Sequence, residues 1–429
     1  MKKVKIGVIG FGTVGAGVAS CLLENGDVIS SRTGIDISLA KVADLDTESD
    51  RGVELPPGVL TNDAEKLIDE VDVVVELIGG TGTAKDLISR ALSAGKPVVT
   101  ANKALLAEHG SELFAAAEQS SADIYYEASV AGGVPVVKAL REGLVGNRVG
   151  KIVGIFNGTC NYILTRMEAE NADFDTVLDE AGKLGYAEAD PSLDIDGVDT
   201  AHKIAIMASL AYGEWFGMSP VSVEGIRGID LLDLKFALEL GYRVKLLGIA
   251  DNNGGDVQMR VHPSLVPLDN MLADVSGVFN GVLVKGDYVG DLFFHGRGAG
   301  RDATASAVVA DIVDVALNLK LGSHRRVPAF RIGRQFAEIA PLERTRCRYY
   351  TRMQVMDKPG VVAAVSTVLG NHGISISSIL QKEGQSADNV SLIIVTHAAL
   401  EANMSKAILE IETLDCVKGS TKLFRIEDV

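Results

Sequence analysis

The residues best suited to chemistry crowd into Glu180–Lys203, where carboxylates and two lysines are set among apolar side chains. Asp199 and Lys203 are four positions apart, so on a helix they share one face and can pair. Asp190-Pro191-Ser192 marks a turn that presents Glu188 and Asp194 from loop or helix-start positions. Such carboxylates could hold a substrate ammonium, while Lys203 supplies positive charge or a proton near a developing alkoxide. The same pattern also suits a surface helix laced with ion pairs. His202 would point about 100° away from Lys203 on a helix, which fits a packing or surface histidine better than an acid or base.

A second constellation is Gly10-Phe11-Gly12-Thr13-Val14-Gly15, directly after an apolar run and before a helical pattern. Gly10 permits a tight turn, Gly12 lets backbone approach a pyrophosphate, and Gly15 lets helix and sheet pack closely. The helix start then offers free N–H groups and positive dipole to phosphates. Asp44, at the end of the next apolar run, is the candidate ribose ligand. A carboxylate there accepts from a 2′-hydroxyl and repels a 2′-phosphate, favouring NAD over NADP. Its distance from Gly15 exceeds the usual spacing of about 20 residues, so a solvated turn is the competing reading.

These groups need a scaffold. Strand patterns at Lys5–Ile9, Ile37–Val42, Val71–Leu77, Pro97–Thr100 and Ile124–Glu127 alternate with helical ones at Val14–Leu23 and Ala84–Ala94. Alternation of this kind predicts a Rossmann-type α/β fold, a doubly wound parallel sheet, over 1–133. From about Val134 longer helices (Pro135–Leu144, Phe174–Leu184, Thr200–Tyr212) precede strand pieces at Val244–Ala250, Val257–Val261 and Gly281–Lys285, predicting an α+β catalytic and dimerisation domain over 134–303. An apolar helix, Thr304–Leu319, is expected to return to the first domain, within 304–321. Residues 322–348 carry seven arginines against two glutamates and read as a solvated connector. Residues 349–429 then run strand, helix, strand, strand, helix, strand, the ferredoxin-like order.

Composition narrows the partners. A length of 429 residues calls for two or three domains. A formal charge of −16 argues against nucleic acid and anionic membranes, both of which demand a basic surface. No apolar run approaches the roughly 18–20 residues of a membrane helix. Cys21, Cys160, Cys347 and Cys416 lie far apart, without metal spacing, and suit reduced thiols in a cytoplasmic protein.

The run Ala181-Gly-Lys-Leu-Gly185-Tyr186-Ala187 through Asp190-Pro191, Asp194-Ile195, Gly197, Asp199 and Lys203 resembles the homoserine dehydrogenase signature. Gly10–Gly15, Thr100-Ala-Asn-Lys103, Glu127-Ala-Ser-Val-Ala-Gly-Gly133, Asn157-Gly-Thr-Cys-Asn161 and Gly296-Arg-Gly-Ala-Gly300 agree with it. The resemblance runs from about Lys3 to Leu321. It implies NAD(P)H-dependent reduction of L-aspartate 4-semialdehyde to L-homoserine, on the route to threonine, methionine and isoleucine. Lys203 and Lys103 would act at the reacting carbon, with Asp199 orienting Lys203 or joining a proton relay. Glu188 and Asp194 would bind the amino acid, with Gly158, Thr159 and Lys103 beside them. The cofactor would lie against Gly10–Gly15, Asp44, Lys103 and Gly300. Glu127, with backbone carbonyls of Val130, Gly132 and Val134, would hold a monovalent cation such as sodium or potassium, which all-oxygen ligation suits.

Two positions depart from the family. Ala43 stands where NADP-using relatives often carry Arg, and Cys160 where Thr is common. A pocket cysteine raises the alternative of a thioester-forming semialdehyde dehydrogenase, and a non-catalytic amino-acid sensor is a third possibility. At the other end, Met353-Gln-Val-Met-Asp357-Lys-Pro-Gly360 and Gly373-Ile-Ser-Ile-Ser377 resemble an ACT domain. That implies an amino-acid effector, L-threonine first among them, and a homodimer or homotetramer.

Overall fold

Val4, Ile6 and Val8 of β1 (Lys2–Ile9) are buried, as are all four residues of β4 (Val73–Glu76) and all three of β5 (Val98–Thr100). Such near-continuous apolar strands suit a parallel sheet covered on both faces. In the computed structural model, which describes residues 2–324, 326, 338–381 and 389–428, they are joined by β2 (Ile35–Ala43), β3 (Leu60–Thr61) and β6 (Ile124–Tyr125). The parallel order is β3-β2-β1-β4-β5-β6. It reverses between β1 and β4, opening a crevice beyond the carboxyl ends of those strands. The Rossmann-type sheet expected from the sequence is thus present, with each predicted strand displaced by only a few residues.

The helix Arg301–Leu321 lies against this sheet, its Val308, Ile312 and Val315 sharing a core with Val4, Ile6 and Val8. It approaches the helix Thr13–Glu24 so closely that a Cβ on Gly17 would stand 2.8 Å from the Arg301 carbonyl oxygen. The helix expected over Pro135–Leu144 is instead Val136–Lys138 followed by a wide π turn, Ala139–Gly143, closed by the Leu144 amide on the Ala139 carbonyl at 2.8 Å.

The second sheet begins with β7 (Val149–Ile155), β8 (Val221–Val223), β9 (Tyr242–Asn253), β10 (Asp256–Pro267), β11 (Phe279–Gly286) and β12 (Gly290–Arg297). It continues through β13 (Glu338–Ile339), β14 (Arg346–Met356), β15 (Ile376–Gln381), β16 (Asn389–Thr396), β17 (Ala399–Leu400) and β18 (Val417–Ile426). Its main path is β12-β11-β7-β9-β10-β18-β14-β16-β15, so the middle and C-terminal units share one sheet. The join is parallel, with Ser264 and Leu265 of β10 beside Arg425 and Ile426 of β18.

Residues 322–348 are not a solvated connector throughout: from Glu338 the chain pairs with β10, and at Arg346 it enters β14. The Glu338 and Ala340 amides donate to the Gly255 and Val257 carbonyls along that sheet edge. Arg325, Arg331 and Arg334 lie outside the described residues. In the C-terminal unit one sheet edge is taken by β10 of the same chain, which pairs with β18. Its outer edge is β15. No helix among the described residues is long and apolar enough to cross a membrane.

Buried ion pairs lock the join. Glu427 accepts from Arg260 at 2.8 Å and from Lys151 at 3.2 Å, and Arg352 grips Asp233 through two bonds of 2.5 and 2.9 Å. Burial alone would raise the Glu427 pKa, but Arg260 and then Lys151 hold it down to about 2. Glu427→Ala would leave Arg260 buried without its carboxylate. It should lower the free energy of local opening at β10–β18 by about 3–5 kcal/mol, read from hydrogen exchange of the strand amides. A depressed carboxyl stabilises above its unfolded pKa and loses that contribution as pH falls. The difference between wild type and variant should therefore be full above the unfolded value of 4.5 and vanish towards pH 2.

Candidate active site

Val198–Tyr212 is a helix whose residues Asp199 to Leu210 are all buried, against β9 and β10 on one side and the helix Lys103–Ser120 on another. Its later run, Ile204 to Leu210, is apolar apart from Ser209 and suits such a position. That burial overturns the surface ion-pair reading, because Asp199 and Lys203 go inside with the rest. Their spacing of four brings the Lys203 ammonium to 2.6 Å from Asp199 Oδ2. The same ammonium donates to the Phe156 carbonyl at 2.7 Å, just past the end of β7.

Lys103 approaches from the first domain. It begins the helix Lys103–Ser120 at the end of β5, and its Nζ stands 3.1 Å from Asp199 Oδ1. A cation at a helix N-terminus opposes the dipole, so Asp199 supplies the compensation that the helix does not. A buried network fixes the turn before it. Glu76 accepts from the Thr100 hydroxyl at 2.6 Å and from the amides of Ile78 and Gly79, while Asn102 caps the helix and donates to the Gly80 carbonyl at 2.7 Å.

Asn157 joins the remaining pieces. Its oxygen caps the helix Gly158–Glu170 by accepting from the Cys160 amide, and its nitrogen donates to Asp194 at 2.7 Å and Asp199 at 2.8 Å. Two carboxylates and two ammonium groups from three segments thus converge. Burial alone would raise the Asp199 pKa, but Lys203 and Lys103 hold it well below the usual carboxylate range. Asp199 in turn raises Lys103 above its ordinary value, whereas burial outweighs that attraction and lowers Lys203.

A cleft of about 270 Å³ opens on this cluster, lined by Gly79, Gly80, Lys103, Glu188, Asp194 and Asp199 among others. Lys103 is the more open of the lysines, its side chain 41% exposed against 11% for Lys203. Glu188 is exposed at the rim. His202, buried as a packing histidine would be, also contributes to the wall, and burial lowers its pKa. Gly158 and Thr159 do not line this cleft. Gly158 passes close to the Val278 carbonyl, and the Thr159 hydroxyl donates to the Tyr186 carbonyl at 2.8 Å, tying down the segment that leads to Glu188.

The glycine turn has the form a dinucleotide needs. Gly10 has φ +102°, and a Cβ on Gly15 would stand 1.9 Å from the Gly10 carbonyl oxygen, whereas one on Gly12 would meet nothing within 4 Å. No side chain caps the following helix, which begins at Thr13, so its first amides, Thr13 and Val14 among them, are not taken by a capping side chain. Asp44 reaches this turn, accepting from the Phe11 amide at 2.5 Å and the Asp46 amide at 2.9 Å. Arg51 is paired with Asp46 at 2.9 Å. Gly300 precedes the helix Arg301–Leu321 with φ +125°.

Glu127 has a structural task. Its two oxygens accept from the amides of Val137 at 2.9 Å and Lys138 at 2.6 Å, and its own amide donates to Asp311. Ala131 and Gly132 both have positive φ, bending the backbone that carries the carbonyls of Val130, Gly132 and Val134. Burial, then the nearby Glu127, push Asp311 well up, and burial raises Glu127. Among the described residues no group of three or more His, Cys, Asp or Glu could hold a metal ion, so a hard cation here would depend on backbone oxygens.

The Phe156 carbonyl and the Asn280 amide that donates to it at 3.0 Å complete the site and were not foreseen. A backbone carbonyl carries no side-chain signal, and Asn280 lies in no motif. Asn157 stood within a quoted motif, but its links to Asp194 and Asp199 need the fold.

Cys160 is fully buried, its thiol donating to the Asp194 carbonyl at 3.2 Å. Burial and the surrounding carboxylates raise its pKa well above the ordinary value. A thiol held protonated is a poor nucleophile. Iodoacetamide applied to the native protein should spare Cys160, and Cys160→Ser should keep most of the turnover. Inactivation that tracks labelling of Cys160 alone would reinstate a thioester route.

Three sequence models match along the chain: the homoserine dehydrogenase NAD-binding domain over residues 10–127, homoserine dehydrogenase over 135–313 and the ACT domain over 349–414. A Neisseria gonorrhoeae homoserine dehydrogenase is 44% identical over 100% of both chains. The crystal structure of a homoserine dehydrogenase from Thiobacillus denitrificans superposes with a TM-score of 0.94 at 44% identity, over 100% of this chain and 99% of that one. A hyperthermophilic archaeal homoserine dehydrogenase in complex with NADPH matches 74% of this chain and 98% of its own, at 28% identity and a TM-score of 0.63.

Proposed function

The chain belongs to the homoserine dehydrogenase family, and on that premise we propose that it interconverts L-aspartate 4-semialdehyde and L-homoserine with NAD(P)H and NAD(P)+. The observation that carries this reading is Asp199 held between Lys103 and Lys203 in a cleft beyond the carboxyl ends of β4 and β5. The Gly10–Gly15 turn would hold the pyrophosphate of the dinucleotide, whose reduced nicotinamide would supply the hydride for the aldehyde carbon.

Glu188 and Asp194, which line the cleft, hold the substrate ammonium in this reading. Hydride addition leaves a negative oxygen, which the ammonium groups of Lys103 and Lys203 stabilise. Lys203 Nζ gives up the proton that completes the alcohol, since burial makes it the more acidic lysine. Asp199, Asn157 and the Phe156 carbonyl keep that nitrogen in place. In the reverse direction neutral Lys203 takes the hydroxyl proton. A monovalent cation such as sodium or potassium belongs to the same reading, held by carbonyls of Val130, Gly132 and Val134 beside Glu127.

The reading extends to regulation by an amino acid, with L-threonine as the first candidate, through the ACT domain, and to assembly as a homodimer or homotetramer. The exposed strand β15 supports a pairing edge. Because β18 and Glu427 anchor that domain to β10, deleting it would uncover the edge of β10 and leave Arg260 without its carboxylate. Point variants are therefore better probes than truncation.

Homoserine-dependent reduction of NAD or NADP in phosphate-free buffer tests the activity directly, and its absence in the pure protein overturns it. Lys203→Ala should lower kcat by about 10²–10⁴-fold, the range for loss of a proton-transfer group. Cofactor affinity, followed by nicotinamide fluorescence, should stay near wild type. A variant keeping more than about a tenth of wild-type turnover would remove Lys203 from the chemistry. Ala43 offers no cation to a 2′-phosphate, and Arg51 is already paired, so NAD should serve at least as well as NADP. The ratio of kcat/KM for the two cofactors decides it, and a tenfold or greater preference for NADP counts against Asp44 as the ribose ligand.

A further inference from the structure

The basic run Arg344-Thr345-Arg346-Cys347-Arg348 plays no part in the proposed chemistry, yet it faces a cleft of about 680 Å³ between the middle and C-terminal parts of the long sheet. Lys151, Asp251 and Arg260 form one wall, from β7, β9 and β10. Arg346 and Arg348 of β14, with Glu427 and Asp428 after β18, form the other. Thr345 secures the run by donating to Gln258 Oε1 at 2.8 Å.

The charges in this cleft are largely matched. Arg344 pairs with Asp256 at 3.3 Å, Arg348 with Asp428 at 3.6 Å, and Glu427 with both Lys151 and Arg260. Arg346 and Asp251 are left, one cation and one carboxylate, neither in an ion pair among the described residues. Arg260, with a side chain only 4% exposed, also keeps its Nε without an acceptor, although its other nitrogens bond Gln258 and Glu427. A buried guanidinium N–H without a partner costs free energy that a ligand oxygen would recover.

We propose that this cleft binds a free α-amino acid, its carboxylate held by Arg346 with Arg260 and its ammonium by Asp251, at a place separate from the Asp357–Gly360 turn of the ACT domain. The inference rests on the reading of the chain as amino-acid-regulated and says where the effector sits. A zwitterion answers both unpaired charges. Phosphate would meet Asp251, Glu427 and Asp428, and a simple cation would meet the arginines. The position also gives the ligand something to move. Asp251 is the cross-strand neighbour of Lys151 on β7, and β7 runs directly to Phe156, whose carbonyl anchors the Lys203 ammonium. Bridging Arg346 to Asp251 therefore ties the C-terminal unit to the strand that positions the chemistry.

Calorimetry on the full-length protein with L-threonine, L-methionine, L-isoleucine and L-lysine, and with inorganic phosphate as control, tests this. At least one amino acid should bind wild type. Arg346→Ala and Asp251→Asn should each weaken it by about tenfold or more, as loss of a hydrogen bond to a charged group implies. Both should leave effector-free turnover unchanged, since neither side chain touches the catalytic cluster. Undiminished affinity in either variant places the ligand elsewhere and overturns the cleft while the effector reading stands. Binding of phosphate alone, lost in Arg346→Ala, overturns it in favour of an anion site. No amino acid bound by wild type defeats both readings.

Discussion

Asp199 keeps its negative charge at a depth where an isolated carboxylate would take up a proton. It does so because two ammonium groups and one amide reach it: Lys203 from one turn further along its own helix, Lys103 from the first domain, and Asn157 from the end of β7. Each needs the others. Lys203 is buried and would favour neutrality alone, and Lys103 sits at the wrong end of a helix for its charge. Removing the carboxylate would leave two cations facing each other with no charge between them.

That requirement explains much of the surrounding architecture. The β5 strand must end where Lys103 can reach the helix Val198–Tyr212, and the Glu76–Thr100–Asn102 network fixes the turn that achieves it. The π turn at Ala139–Gly143 and the loop at Glu127–Val134 lie between the nucleotide-binding sheet and the long sheet. The loop is held by Glu127 on one side and by the contact of Gly133 with the Arg297 carbonyl on the other. The cleft is therefore a product of two sheets brought together, with neither supplying a complete set of charged groups.

The C-terminal ACT domain is bound to this arrangement by more than a connector. Its strand β18 is hydrogen-bonded into the edge of β10, and Glu427 and Arg352 form buried ion pairs across the join with Arg260 and Asp233. Paired buried charges of this kind contribute orientation more reliably than stability.

Local pattern carried much of this in the sequence itself. The glycines at 10 and 15 declare a tight turn because a Cβ there would strike backbone, Gly12 leaves open space where a pyrophosphate can approach, and alternation of strand and helix declares the parallel sheet. The spacing of Asp199 and Lys203 gives their pairing, since helix geometry is local. The long signature around them points to the family and to the candidate residues. Burial was decided only by tertiary structure: nothing in Glu180–Lys203 separates a surface ion-pair helix from a buried one until β9, β10 and the helix Lys103–Ser120 close around it. Contacts between distant segments were equally hidden, among them Lys103 to Asp199, Asn280 to the Phe156 carbonyl, and Glu427 to Arg260. The basic stretch 322–348 looked like a connector because pairing with β10 leaves no periodic trace in so few residues. A sequence records what each segment prefers alone, and these features arise from charges and edges that are satisfied only across the fold.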